Sequence, residues 1–540
     1  MSKKPSTIRI GRRYRANRLD GPYDALVVGS GIGGLTAAAC LAKMGKKICV
    51  LEQHYTAGGF THSYDRNGYE WDVGVHYIGD VGHPETLGRR LFDYVTEAQL
   101  QWAPMDENFD RIFLGAQSYD LVAGKTAYRE ALIDAFPAET GAIDTYFEYL
   151  AEVSRQMRWH TLAKIMPAGL ARLMRWRQRR RAPGYFFRTT RDVLETLTSN
   201  QDLIAVLTGQ WGDCGLPPAR SSFIIHSLIA RHYLHGGYYP VGGSSRMAET
   251  ILPVIRAAGG EVFTYACVDE IRVENGRVSG VRMADGHEID APIVISNAGV
   301  QNTFGALLAD RLPERAHYLE RMSRVRPSMA SMCLYIGLKD TAERLGLPRT
   351  NYWIYPSAHY EADIAAFEHD PEADLPLIYI SFPSAKDPSF ESRYPGRATI
   401  EIVAPGPHEW FAPWENTTWG KRGEDYEALK ERLSQRLLEA LYEHFPHLRG
   451  QVDYTELSTS LSTAHFCRYG KGEIYGLDHD PQRFEQSWLR PKTTIRGLYL
   501  TGQDVVTCGV SGAMLGGLLT AVQLGGLKGL GLARRMLGGG

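Results

Sequence analysis

Three glycines and one acid carry the first chemistry in this chain. Gly29, Gly31 and Gly34 stand in the spacing G-x-G-x-x-G, and Glu52 follows 23 positions after Gly29. Gly29 allows a tight turn, Gly31 lets backbone amides approach a pyrophosphate, and Gly34 lets a helix pack closely on a sheet. Together with Ser30 and Gly33 they place free N–H groups at a helix start, where an anion is favoured. Glu52, followed by Gln53, accepts from ribose hydroxyls and repels a 2′-phosphate. A second glycine pair, Gly58-Gly59, comes at once with Thr61 two positions on. It lets the chain fold back along a bound dinucleotide.

The elements that must position these residues are legible around them. Asp24 to Val28 reads as a buried strand, Leu35 to Met44 as an Ala-rich helix closed by Gly45, and Lys47 to Leu51 as a second strand ending at Glu52. That is one complete βαβ unit. Tyr238 to Ser245 precedes a helical run from Met247 to Ala258, with Ser244 or Ser245 as its N-cap. Gly260–Phe263 and Ala266–Val268 read as strands. A hairpin turns at Asn275-Gly276, another turn falls at Asp285-Gly286, and 293–299 is a buried strand ending in small residues. Gly497 to Asp504 is a strand with a polar tip, and Gly509-Val510-Ser511-Gly512 opens a small-residue helix through Ala521.

The glycine pair after the ribose acid, and then the segment Gly68 to Gly79 containing His76-Tyr77, resemble the FAD-binding amine-oxidase and phytoene-desaturase superfamily. Within it they are similar to the branch of retinol saturase and carotenoid cis-trans isomerase. The stretches Tyr475–His479 and Arg490–Thr493 resemble the same branch. The resemblance implies FAD as cofactor, with Val268 contacting adenine through its backbone and the segment from Gly502 cradling the flavin. Asp504 then fits the ribityl or pyrophosphate region. The first-turn N–H groups after Gly509 face the flavin O2 edge, where charge develops on reduction. The implied fold is α/β, a Rossmann-like FAD-binding domain of the amine-oxidase and phytoene-desaturase type. Its pieces are 20–105, 236–304 and 490–535, and a discontinuous α+β substrate domain takes 106–235 and 305–489.

Composition bounds the alternatives. The chain has 540 residues, 44% apolar and 22% charged, with 60 Lys+Arg against 61 Asp+Glu. That suits a globular chain of two lobes and gives no global field for nucleic acid. Fifty-six glycines exceed the roughly 38 that average usage supplies. Seven scattered cysteines without C-x-x-C argue against a disulfide framework or a zinc site, and no metal is expected. Met1–Arg18 is basic but has no apolar h-region, so secretion is not expected. Ala25–Ala42 lacks charge over eighteen residues, yet its four glycines favour strand, turn and helix over a membrane span.

One segment breaks the charge balance. From Arg155 to Arg191 there are eleven bases and no acid, with Leu162, Ile165, Met166, Leu170, Leu173 and Met174 at helical spacing and Trp159 and Trp176 nearby. Pro167 kinks this helix or begins another. A basic amphipathic helix with Trp reads as a peripheral anchor on the cytoplasmic face of a membrane. The alternative is a stripe facing the core with a solvated Arg face, and a cytoplasmic location is expected if the protein is not peripheral to a membrane.

The expected reaction is that of a flavin beside a carbon–carbon double bond of a hydrophobic polyene, such as a retinoid or carotenoid. Saturation by hydride from N5 plus a proton leads. A redox-neutral isomerase, a desaturase and a non-catalytic prenyl-lipid carrier of the GTPase dissociation inhibitor type are the alternatives. His76 and Tyr77 are the candidates near the flavin, and Tyr238 and Tyr239 line the approach. With only one dinucleotide fingerprint, reduction comes from NAD(P)H entering the same cleft or from another donor. No oligomeric state follows from the sequence.

Overall fold

The computed structural model describes residues 6–370 and 372–537; the first residues of the basic N-terminal stretch and position 371 of the acidic stretch 361–374 lie outside them. Two sheets organise the chain. The first has six strands in the order Arg12–Arg13, Glu261–Thr264, Ile48–Leu51, Ala25–Val28, Val294–Ser296 and Leu498–Leu500, all parallel. Its central strands are buried along their whole length, as unbroken runs such as Ala25–Val28 require when both faces are covered. Segments hundreds of residues apart in sequence thus meet edge to edge.

Helix Ile32–Lys43 covers one face and packs against Gly509–Leu524. The approach is close because it is made of glycine. A Cβ on Gly517 would lie 2.4 Å from the Gly33 carbonyl, and one on Gly516 would lie 2.4 Å from the Gly502 carbonyl. The first helix starts three residues earlier than its composition predicts. Gly33 and Gly34 have poor intrinsic helix propensity, but tertiary packing holds them in the first turn.

The second sheet has seven strands in the order Val452–Ser458, Ser331–Leu338, Ala398–Pro405, Ile378–Ser381, Asn351–Tyr355, Asn108–Leu114 and Gln117–Val122. It is antiparallel except where Asn351–Tyr355 runs parallel to Asn108–Leu114. Met332, Leu334, Ile336 and Leu338 point to one side, into a core with Leu433, Leu437 and Leu441 of helix Glu424–His444. Cys333 and Tyr335 alternate to the other side, toward the first domain. The region 106–235, which reads as helical, therefore opens with a hairpin that joins it to the sheet of 331–458.

Three local expectations need correction. Ser245 precedes helix Arg246–Ala257, but neither serine caps it. The Ser245 hydroxyl accepts from Ser63 N at 2.6 Å instead, and Ser244 binds Asp72. Ala266–Cys267 is not strand, because Tyr265 adopts φ 53°, and the strand runs from Val268 to Glu274. The basic segment is two helices, Thr140–Ile165 and Ala168–Arg181, with Pro167 at the N-cap of the second. Met166 before it is extended, as a residue preceding proline should be.

Among the described residues no helix is long and apolar enough to cross a membrane.

Candidate active site

A single cavity of about 620 Å³ runs between the two sheets. At one end its wall is the parallel sheet's C-terminal edge, where ligands of open α/β sheets bind. Gly29, Gly31, Gly33, Glu52, Gln53, Gly58, Gly59 and Thr61 line it, together with Val268, Gly502, Asp504, Gly509 and Val510. Segments near residues 30, 268 and 505 thus share one wall. Ser30, Gly34, Ser511 and Gly512 are not on it. Ser30 donates through Oγ to Glu52 Oε2 at 2.8 Å. Gly34 sits 2.4 Å, counted from a notional Cβ, from the Gly29 carbonyl, which is the helix-to-turn packing its spacing implies. Gly512 packs on Thr507, and the buried Ser511 hydroxyl has no hydrogen-bond partner among the described residues.

This end fits a dinucleotide. Helices Ile32–Lys43 and Gly509–Leu524 both begin at the cavity with neither a side-chain cap nor an acid in the first turn, so their N–H groups are available to an anion. A Cβ on Gly33 would meet Gly502 Cα at 2.6 Å, and one on Gly59 would meet Gly31 Cα at 2.9 Å. Asn297 closes the cradle. Its side chain would lie 2.7 Å from a Cβ on Gly31 and 2.5 Å from one on Gly502. Glu52 is 7% exposed and held in place by Ser30 N, Ser30 Oγ and His54 N. Asp504 accepts from Val300 N at 2.8 Å.

The other end is apolar and aromatic, with Met329, Cys333, Tyr335, Trp353, Leu377 and Tyr379 on its wall beside His76 and Asp213. His76 Nδ1 lies 2.8 Å from Glu401 Oε2. Burial, then the Lys386 charge, pulls this imidazole down to about 3, so the ring is neutral near pH 7, and burial pushes the Glu401 carboxyl well up. His76 thus reaches the cavity as a fixed neutral ring.

Tyr77, Tyr238 and Tyr239 are not on the wall. Tyr77 is 6% exposed, stacks on Tyr233 with centroids 4.2 Å apart, and donates to Asp110 Oδ2 at 2.8 Å. Tyr238 packs on Gly82 and pairs its backbone with Ile78. Tyr239 donates to Asp72, which also accepts from Ser63 Oγ, Ser244 N and Ser244 Oγ. The tyrosine pair therefore clamps 63–72 to 238–245 and does not line an approach. Strand alternation was the missed signal, because Trp102–Pro104 pairs with Tyr238–Pro240.

Sequence reasoning also missed Asp213, Asp110, Lys386, Glu401 and Asn297. Asp213 has a weak local sign in its glycine neighbours, Gly212 and Gly215. Asp110, Lys386 and Glu401 come from the second sheet or its connections and carry no motif, and Asn297 directly follows strand Val294–Ser296 of the first sheet.

A glycine-walled dinucleotide end opening into an aromatic chamber defines a Rossmann-type oxidoreductase. Residues 27–95 match the NAD(P)-binding Rossmann-like domain family. The all-trans-retinol 13,14-reductase of Homo sapiens is 37% identical over 529 residues, covering 94% of this chain and 87% of that one. The lycopene-forming phytoene desaturase of Pseudescherichia vulneris is 28% identical over 500 residues, covering 88% and 94%. The chain belongs to the retinol saturase and phytoene desaturase family of enzymes. An oxidoreductase from Methanosarcina mazei has the same fold, with TM-score 0.60 at 18% identity over 92% of this chain and 98% of that one.

Proposed function

We propose that the protein is an FAD-dependent enzyme that saturates a carbon–carbon double bond of a hydrophobic polyene, a retinoid, carotenoid or related lipid. The observation that carries this reading is the continuity of the glycine-walled end with the aromatic chamber in one cavity. Segments 20–105, 236–304 and 490–535 hold the cofactor, and 106–235 and 305–489 enclose the substrate. FAD, when bound, supplies hydride at N5. The chain's part is to orient and to exclude water. Glu52 takes the ribose hydroxyls, Asp504 the ribityl or pyrophosphate region, and the two uncapped helix starts face the negative groups. Trp353, Leu377 and Tyr379 present apolar surface to the polyene, which suits a substrate without charge. The two electrons reach FAD from a pyridine nucleotide.

Anaerobic incubation of reduced holoprotein with a panel of retinoids, carotenoids and unsaturated fatty acids tests this reading. The expected product gains two hydrogens by mass. No change with altered geometry makes the enzyme an isomerase, and a loss of two hydrogens makes it a desaturase. A colourless protein that takes up no FAD overturns the flavin reading altogether.

Peripheral attachment to a bilayer belongs to the same proposal. Trp159, Leu170, Leu173 and Trp176 are 47–61% exposed on the helical pair. Arg180 stacks over Trp176 at 4.4 Å, and Arg172, Arg177 and Arg181 are exposed around them. The stripe expected along the segment is split, since Ile165 packs into the protein core while Leu170 and Leu173 do not. Lys164 and Arg191 leave the basic surface. The first donates to the Leu489 carbonyl at 2.8 Å, and the second pairs with Glu361. Exposed Trp and Leu ringed by Arg suit an anionic lipid surface. The protein is expected to co-sediment with vesicles containing phosphatidylserine and to leave them at high salt. Retention in the supernatant at low salt counts against attachment.

A further inference from the structure

Saturation needs a proton as well as a hydride, and the wall of the aromatic chamber holds one acid that the cofactor does not use. Asp213 ends the short turn Trp211–Asp213 and faces the cavity. Behind it, Tyr77 OH stands 3.3 Å from Asp213 Oδ2 and 2.8 Å from Asp110 Oδ2. A phenol carries one hydrogen, so it can donate to only one of these carboxyls. The other carboxyl must carry its own proton to keep its contact with the phenol oxygen.

Geometry decides which. Asp110 receives Asn351 Nδ2 at 2.8 Å and Gln210 Nε2 at 2.7 Å besides Tyr77. Asn351 in turn accepts from Lys386, whose ammonium also reaches Ser381 Oγ and the His76 carbonyl. Three donors favour an ionised Asp110, and Lys386, which burial brings down to about 7, adds part of a positive charge beside them. Among the described residues Asp213 has only the phenols of Tyr77 and Tyr233 as side-chain donors, and no amide or cation. Its other titratable neighbours are the phenols of Tyr355, Tyr379 and Tyr475 and the thiols of Cys214 and Cys508. None is cationic.

We propose that Asp213 donates the proton that completes saturation, with Tyr77 and Asp110 as positioning residues; this rests on the saturase reading above. In the step, the Asp213 O–H bond breaks and a C–H bond forms at one alkene carbon from the π pair. The neighbouring carbon receives hydride, whose two electrons come from reduced flavin and ultimately from the pyridine nucleotide. The carboxylate left behind regains its proton from solvent once product leaves. Burial, then the Asp110 charge, pushes Asp213 up to about 8, while Asp110 reaches only about 6. The cavity-facing acid is thus protonated at neutral pH, as a donor must be.

Wild type, Asp213→Asn and Asp110→Asn holoproteins provide the test. Infrared spectra at pH 7 are expected to show a protonated-carboxyl component that Asp213→Asn removes; a component that Asp213→Asn retains in full and Asp110→Asn removes overturns the assignment. In Asp213→Asn, FAD content and reduction by dithionite should stay at the wild-type level while saturation falls about 10²–10⁴-fold. An unchanged saturation rate overturns the donor role and leaves the saturase reading standing. A wild type that adds no hydrogens to any polyene sinks that reading, and the donor role with it. Should Asp213→Asn not load FAD, Asp110→Asn still decides. Loss of its charge should move the alkaline decline of the rate to lower pH, and an unmoved decline overturns the proposal.

Discussion

At its dinucleotide end the cavity is walled by backbone, and at its aromatic end by side chains. The first end is made of glycines whose missing Cβ atoms leave the space: Gly31, Gly33, Gly59 and Gly502 each approach another main chain or Asn297 too closely for any larger residue. The second end is made of groups whose side chains touch one another, Asp213 to Tyr77 to Asp110 to Asn351 to Lys386. The contrast teaches that recognition of a common cofactor needs little side-chain chemistry. The carboxyls buried next to an apolar substrate are held in a hydrogen-bonded chain, because an unpaired buried group is costly.

The sharpest way to break this contrast is Gly33→Val. Its side chain meets Gly502 Cα and the Ala513 carbonyl, neither of which can yield, so FAD retention should fall by about 100-fold or more, the equivalent of about 3 kcal/mol. Bound flavin per mole of protein measures it. Gly509→Ala sharpens the same point. Nothing lies within 4 Å of its Cβ, and only the φ of +76° opposes it, so the cost should be near about 1 kcal/mol with flavin retained.

The buried Asp72 clamp, off the cavity wall, predicts an effect on stability and not on cofactor. Asp72→Ala strands the donors of Ser63, Ser244 and Tyr239, and denaturant unfolding should show a loss of about 4 kcal/mol. A smaller effect is a pH dependence. Asp213 has its pKa raised in the folded chain to about 8, so the native state binds the extra proton between the unfolded carboxylate range and pH 8. Its contribution is full below about pH 4 and is lost as pH rises through about 8. Thermal unfolding should therefore show wild type losing stability relative to Asp213→Asn across that window. Equal pH dependence would place the proton elsewhere. Smallest is Leu173→Gln. At 50% exposure it should change stability by no more than about 0.5 kcal/mol, yet weaken vesicle co-sedimentation. A binding loss without a stability loss separates the lipid surface from the core.

Much of the first end was readable because its determinants are local. The spacing of Gly29, Gly31 and Gly34 specifies turn, approach and packing within one helix start, and Glu52 is fixed by the length of one βαβ unit. Even there, Gly512 and Ser511 follow Gly509 in sequence but lie off the cavity wall, Gly512 packing on Thr507. The second end was largely hidden. His76 was found and does reach the wall, but its neighbour Tyr77 leaves the wall to donate to Asp110. Tyr238 and Tyr239 look like aromatic substrate contacts in sequence, and only their pairing with Ile78 and Asp72 shows them to be braces.

The chain's sequence by itself determined where a nucleotide could be gripped, because a backbone site is written in the spacing of residues that lack side chains. Which acid holds a proton beside the polyene was decided only by tertiary structure. A carboxyl's charge depends on how many donors and cations surround it in space, and for Asp213 and Asp110 those groups arrive from strands and turns 33 to 241 residues away.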